Sequence, residues 1–160
     1  MPISASELLS AAYNDADRTI DLRRRLHRHP EIGLQLPQTQ AMVLEAFADL
    51  PVEVTTGTTT SSVVGVLRGA RPGPTYLLRG DMDGLPVQED TGLPFASEEP
   101  GAMHACGHDT HVAMLLGEQP RPAGRPGRVH GAAGGGGLPR RALHARGGPA
   151  RRRAGGPPRA

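Results

Sequence analysis

At Glu118 the chain changes character. Residues 1–117 carry eight Arg against fifteen acids, a net charge of −7, whereas residues 118–160 carry ten Arg against one acid, a net of +9. The second stretch holds eleven Gly, eight Ala and seven Pro among its 43 residues and no aromatic side chain. Nothing in it repeats with a helical or strand period. So few large apolar groups cannot offset the entropy of ordering the chain. Residues 118–160 are therefore expected to form a disordered tail, and the packed core must come from residues 1–117, enough for one domain. All eighteen basic residues are Arg, which points to GC-rich coding rather than to a partner.

Within residues 1–117 the pattern is α/β. Leu8, Leu9, Ala12, Ile20, Leu22 and Leu26 recur at helical spacing, so Ser4 to about Arg28 reads as one helix that Pro30 stops. Pro37 suits the first turn of a second helix through about Leu50. Val52–Thr56 and Ser62–Leu67 read as strands with Gly57 between them, and Thr75–Arg79 reads as a third. That strand runs into Gly80-Asp81-Met82-Asp83-Gly84, and acids just past a strand's C-terminal end stand where open α/β sheets place their sites. Pro86 to Pro100 is expected to be a loop, and His108 to Leu116 a short helix.

The chemistry concentrates in Met103-His104-Ala105-Cys106-Gly107-His108-Asp109-Thr110-His111. The only cysteine, three histidines and a carboxylate fall within nine positions. Thiolate, imidazole and carboxylate are the side chains that bind divalent transition metals, and Gly107 gives the backbone room to turn between ligands. One cysteine leaves no internal disulfide. His27 and His29 read as residues of a helix C-terminus, where a cationic imidazole is mildly favoured. The N-terminus lacks a basic start followed by an apolar run, and no segment is apolar enough to span a membrane. A cytoplasmic protein is expected.

Three motifs occur in order: Arg25-Leu26-His27-Arg28-His29-Pro30-Glu31-Ile32-Gly33, Leu78-Arg79-Gly80-Asp81-Met82-Asp83-Gly84-Leu85-Pro86-Val87, and Pro100 through Asp109. Together they make residues 5–117 resemble the start of a dimetal amidohydrolase of the aminoacylase and carboxypeptidase superfamily. The branch is that of hippurate hydrolases, N-acyl-amino-acid amidohydrolases and auxin-conjugate hydrolases. The resemblance implies an α/β fold with helices packed on a mixed sheet, the N-terminal part of a zinc-peptidase-like catalytic domain, without the lid domain. It implies two metal ions, Mn or Zn, a metal-activated water that cleaves N-acyl amino acids, and homo-oligomers among intact members. Cys106 and His108 match the first two metal ligands. Asp81 matches the Asp that supports a ligand, and Arg79 stands where related branches have a ligand His. A thiolate is a strong ligand, and a carboxylate beside a ligand imidazole fixes its tautomer.

The resemblance ends after Leu115-Leu116-Gly117. The family's next strand and its Gln-Pro-x-Glu-Glu motif, which carries the general base, are not in the sequence as written. Reading residues 125–148 one nucleotide downstream, with third codon bases chosen freely, allows Gly-Arg-Val-Val-Phe-Met, then Ala-Gln-Pro-Gly-Glu-Glu-Gly, then a further compatible run. The tail is thus read as out-of-frame translation, and the 160-residue chain as a truncated, inactive version. Two alternatives stand beside this. One is an Arg/Gly-rich nucleic-acid-binding protein, for which the tail lacks stacking aromatics. The other is a closed single-metal module built from His104, Cys106, His108 and His111.

Overall fold

In the computed structural model the described residues are 4–48, 50–69, 71–117 and 126–133, with Arg71 and residues 126–133 described through their backbone alone. Three helices come first: α1 (Ala5–Asn14), α2 (Ala16–Arg28) and α3 (Pro37–Phe47). Strands β1 (Val52–Thr56), β2 (Val63–Leu67) and β3 (Arg71–Gly80) follow, then α4 (His108–Gly117) and β4 (Pro126–Ala133). The α/β architecture and the mixed sheet are as expected from sequence. The sheet order is β1-β2-β4-β3, antiparallel between β1 and β2 and between β2 and β4, and parallel between β4 and β3. No helix among the described residues is long and apolar enough to cross a membrane.

Two expectations change. The single N-terminal helix is two. Ser4 opens α1 with a reciprocal capping box to Glu7, but Asp15 leaves helical geometry at φ −97° and ψ 0° and caps both helices. Asp competes with the helix for backbone hydrogen bonds, which favours such a break. Consequently α1 buries nothing, and Leu8, Leu9 and Ile20 stay exposed, while Leu22 and Leu26 of α2 enter the core. The second change concerns the tail. Residues 118–160 were expected to lack regular structure, yet Pro126–Ala133 form β4 in the interior of the sheet. Backbone pairing asks nothing of side chains, so a slot between two strands can override propensity. Residues 118–125 and 134–160 lie outside the described residues.

The core joins Leu22 and Leu26 of α2, Leu36 just before α3, Val43 and Phe47 of α3, Val63 of β2, Met82, and Val112, Ala113 and Leu116 of α4. Apart from Ala113, each such burial contributes roughly 1.5–3 kcal/mol before entropy is subtracted. Apolar positions three or four apart in α2 and α4 therefore dock these helices on one another and bring the start of α4 against the end of β3. That junction is where the site lies.

Candidate metal centre

The three sequence motifs meet through backbone hydrogen bonds. Gly84 N–H donates to the Glu31 carbonyl at 2.7 Å, and Leu85 and Met103 exchange bonds of 2.8 and 3.0 Å. Glu98 N–H reaches the Arg28 carbonyl at 2.8 Å. Glu31 also caps α3, accepting from the Gln38 and Thr39 amides at 3.1 and 2.7 Å and from the Thr39 hydroxyl at 2.8 Å. Here a side-chain oxygen satisfies N–H groups that a helix start leaves open.

At the strand end, Asp81, His108 and His111 each offer a ligand atom, and these atoms lie within 4.8 Å of one another. Two glycines make this possible. A Cβ on Gly80 would sit 3.2 Å from the His111 backbone, so α4 lies directly against the strand end. Gly107 has φ +74°, a left-handed conformation that other residues adopt at a cost, and its carbonyl accepts from Thr110 and His111 to start α4. His108 Nδ1 faces the Asp83 carbonyl at 2.8 Å and the Asp83 carboxylate at 3.1 Å. An Nδ1–H donating to both leaves Nε2 free for a metal. Asp81 also pairs with Arg79 at 2.6 Å. Leu78, Arg79, Asp81, His111, Met114 and Leu115 line an open depression around these groups.

The donor set, one carboxylate and two imidazoles with an open side, fits a divalent transition metal in a site that keeps a free coordination position. It differs in detail from the sequence reading. His108 falls in the group, whereas Cys106 is exposed and outside it. Asp81, expected to support a ligand, is itself among the donors, and the supporting contact to His108 belongs to Asp83. Arg79, in the place of a ligand His, is the ion-pair partner of Asp81. His111 was not picked out as a ligand of this centre. Its signal was the spacing from His108, since residues three apart share a helix face. The four-residue closed module does not converge: among the described residues the only such donor group is Asp81, His108 and His111.

Behind the donors lies a buried polar layer. His27 is 2% exposed, so it is no solvated helix end. Its Nδ1 is 2.7 Å from Asp109 Oδ2 and its Nε2 is 3.2 Å from Glu89 Oε1. Arg23 Nε reaches the same Asp109 oxygen at 2.8 Å. The guanidinium groups of Arg23 and Arg24 lie over the Phe95 ring, 4.8 and 5.1 Å from its centroid. Burial pushes the His104 imidazole below its ordinary value; Asp109 opposes the shift, and His27 and His108 add to it. For Glu89 burial acts upward, but hydrogen bonds from Thr91, Ser97 and His27 outweigh it and hold the carboxyl below its usual range.

A carboxylate at a strand end and two imidazoles on the facing helix, one of them oriented by a further carboxylate, make a candidate metal centre on an α/β fold. Residues 77–118 match the family model described as Peptidase family M20/M25/M40. "Thermostable carboxypeptidase 1" of Saccharolobus solfataricus is 51% identical over 116 residues, covering 69% of this chain and 30% of that protein. "N-acyl-L-amino acid amidohydrolase" of Geobacillus stearothermophilus is 46% identical over 95 residues, covering 59% of this chain and 26% of that protein. The Bacillus subtilis YXEP protein, described as a dinuclear metal binding peptidase from the M20 family, superposes with a TM-score of 0.70 at 35% identity. The match covers 76% of this chain and 35% of that one. Over its matched part the chain is a member of this peptidase family, with the fold of the N-terminal part of its catalytic domain. It spans about 30% of the length of the first of these curated relatives.

Proposed function

We propose that residues 1–117 belong to a metal-dependent amidohydrolase that cleaves the amide of N-acyl amino acids, hippurate-like substrates included. The observation that carries this reading is the Asp81, His108 and His111 group, with His108 oriented by Asp83, on an open depression. Cys106 and His108 are retained as ligands by motif, and Asp81 and His111 join them by position. These residues would hold the ions, two Mn or Zn by the resemblance, which would supply Lewis-acid polarisation of a carbonyl and acidification of water. The chain's own part is orientation. Asp83 fixes the His108 tautomer, Arg79 holds the Asp81 carboxylate, and Leu78, Met114 and Leu115 offer an apolar wall to an acyl group. A cytoplasmic location and homo-oligomers among intact members are the expectations that go with this reading, and a nucleic-acid partner is not expected.

The 160 residues as written contain one acid beyond Gly117, Glu118, and so no acidic pair to serve as general base. Proton transfer by such a base contributes roughly 10²–10⁴-fold. This polypeptide is therefore expected to turn over no N-acyl amino acid, and the sequence after about Gly117 is read as out of frame. The test pairs two proteins. The chain as written should take up Zn(II) or Mn(II) weakly, by elemental analysis after dialysis, and lose that uptake on joint Asp81→Asn and His108→Ala substitution. A version with the frame restored should hydrolyse hippurate in a chelator-sensitive way. Turnover by the chain as written, or a restored version without metal and without turnover, overturns the proposal.

A further inference from the structure

His27, Glu89 and Asp109 come from positions far apart in sequence, yet their side chains are 3%, 1% and 0% exposed and touch in series. Burying two carboxylates and an imidazole is costly, and apolar groups of similar size would serve stability as well. The cluster therefore asks for a reason beyond stability, and its place supplies one. Asp109 sits between the donors His108 and His111 in the first turn of α4. Successive helix residues are turned by about 100°, so the depth at which Asp109 is anchored fixes where both imidazoles fall relative to Asp81. Arg23 and His27 hold Asp109 from α2. Glu89 holds His27 from behind and is itself fastened by the Ser97 amide at 2.6 Å and by Thr91.

We propose that His27, backed by Glu89, is a positioning residue of the metal centre: by gripping Asp109 it sets the rotation of α4 that aims His108 and His111 at Asp81. The proposal rests on the metal reading above. The test uses the whole 160-residue chain and Co(II) as probe. His27→Leu should weaken Co(II) binding about 10- to 100-fold, the usual effect of losing a group that orients ligands, and change the visible ligand-field bands. His27→Gln should recover part of both. Phe47→Ala, a core truncation where α3 meets β2, should lower the melting temperature while leaving affinity and bands in place. Unchanged binding and bands in folded His27→Leu overturn the proposal, as does an equal loss in Phe47→Ala. If His27→Leu does not fold, Glu89→Gln carries the same comparison. If the unsubstituted chain binds no Co(II), the metal reading has failed. Positioning is then judged from the ring ¹H–¹³C signals of His108 and His111, which should move in His27→Leu and not in Phe47→Ala; unmoved signals overturn it.

Discussion

β2 and β4 lie side by side and are built from opposite materials. In β2, Val63 is fully buried, and Gly65 admits the Phe47 ring so closely that an added Cβ would meet Phe47 Cζ at 2.8 Å. β4 is deeper in the sheet, paired with β2 on one side and parallel to β3 on the other. Strands in that position are usually near-continuous apolar runs, with Pro and Gly depleted. Yet β4 reads Pro-Gly-Arg-Val-His-Gly-Ala-Ala. The strand's place follows from a backbone slot, while its composition belongs to something other than a sheet interior. Local and global preferences that conflict this plainly are unusual in natural sequences. The frame shift proposed above would remove the conflict, since positions 127–130 would then read Val-Val-Phe-Met. Positions 128, 129 and 130 are those that pair with Thr75, Tyr76 and Leu77 of β3.

The largest expected effect follows directly. A chain carrying Gly-Arg-Val-Val-Phe-Met at positions 125–130 should gain about 5 kcal/mol, taking roughly 1.5–3 kcal/mol for each large apolar side chain newly buried. The urea midpoint reads this, and an unchanged midpoint would break the contrast between the two strands. Phe47→Ala comes next. It empties the space against β2 and should cost about 3–5 kcal/mol. Gly65→Val should cost about 1–3 kcal/mol by overpacking the same contact. It should do so with β4 as written and with β4 restored, because Phe47 and Gly65 meet without it.

How much of this was legible follows the same divide. Helices, strands and the three motifs of residues 5–117 are carried by periodicity and by side chains whose chemistry is local, so they could be read directly. Three things could not. The break at Asp15 turns on one residue's backbone angles. β4 depends on unpaired neighbours far away in sequence, which no window over Gly-, Arg- and Pro-rich residues reveals. The grouping of Asp81 and His111 with His108, and the contact of Asp83 with His108, depend on how α4 lies against Gly80. His27 misled for a related reason: a helix-terminal histidine gives no sign of the two carboxylates that arrive from 62 and 82 residues away.

The smallest effect sharpens the contrast from the other side, by asking whether the part before Glu118 keeps its own electrostatics whatever follows. The Glu89 carboxyl is held below its ordinary value near 4.5 despite burial, because Thr91, Ser97 and His27 hydrogen-bond its charged form. A group with a depressed folded pKa contributes stability that is complete above the unfolded value and is lost as pH falls through the folded one. Chemical denaturation of the unsubstituted chain and of Glu89→Gln should thus differ most above pH 4.5 and converge below it. His104 also acts at acid pH, since its lowered value makes protonation of the folded chain costly as pH falls below 6.5. It is present in both proteins, so its contribution cancels in the difference. A gap between the two that stays constant from pH 7 to pH 3 would mean that Glu89 is held by shape rather than by charge. A gap that shrinks only when β4 is restored would mean that the two regions are not independent.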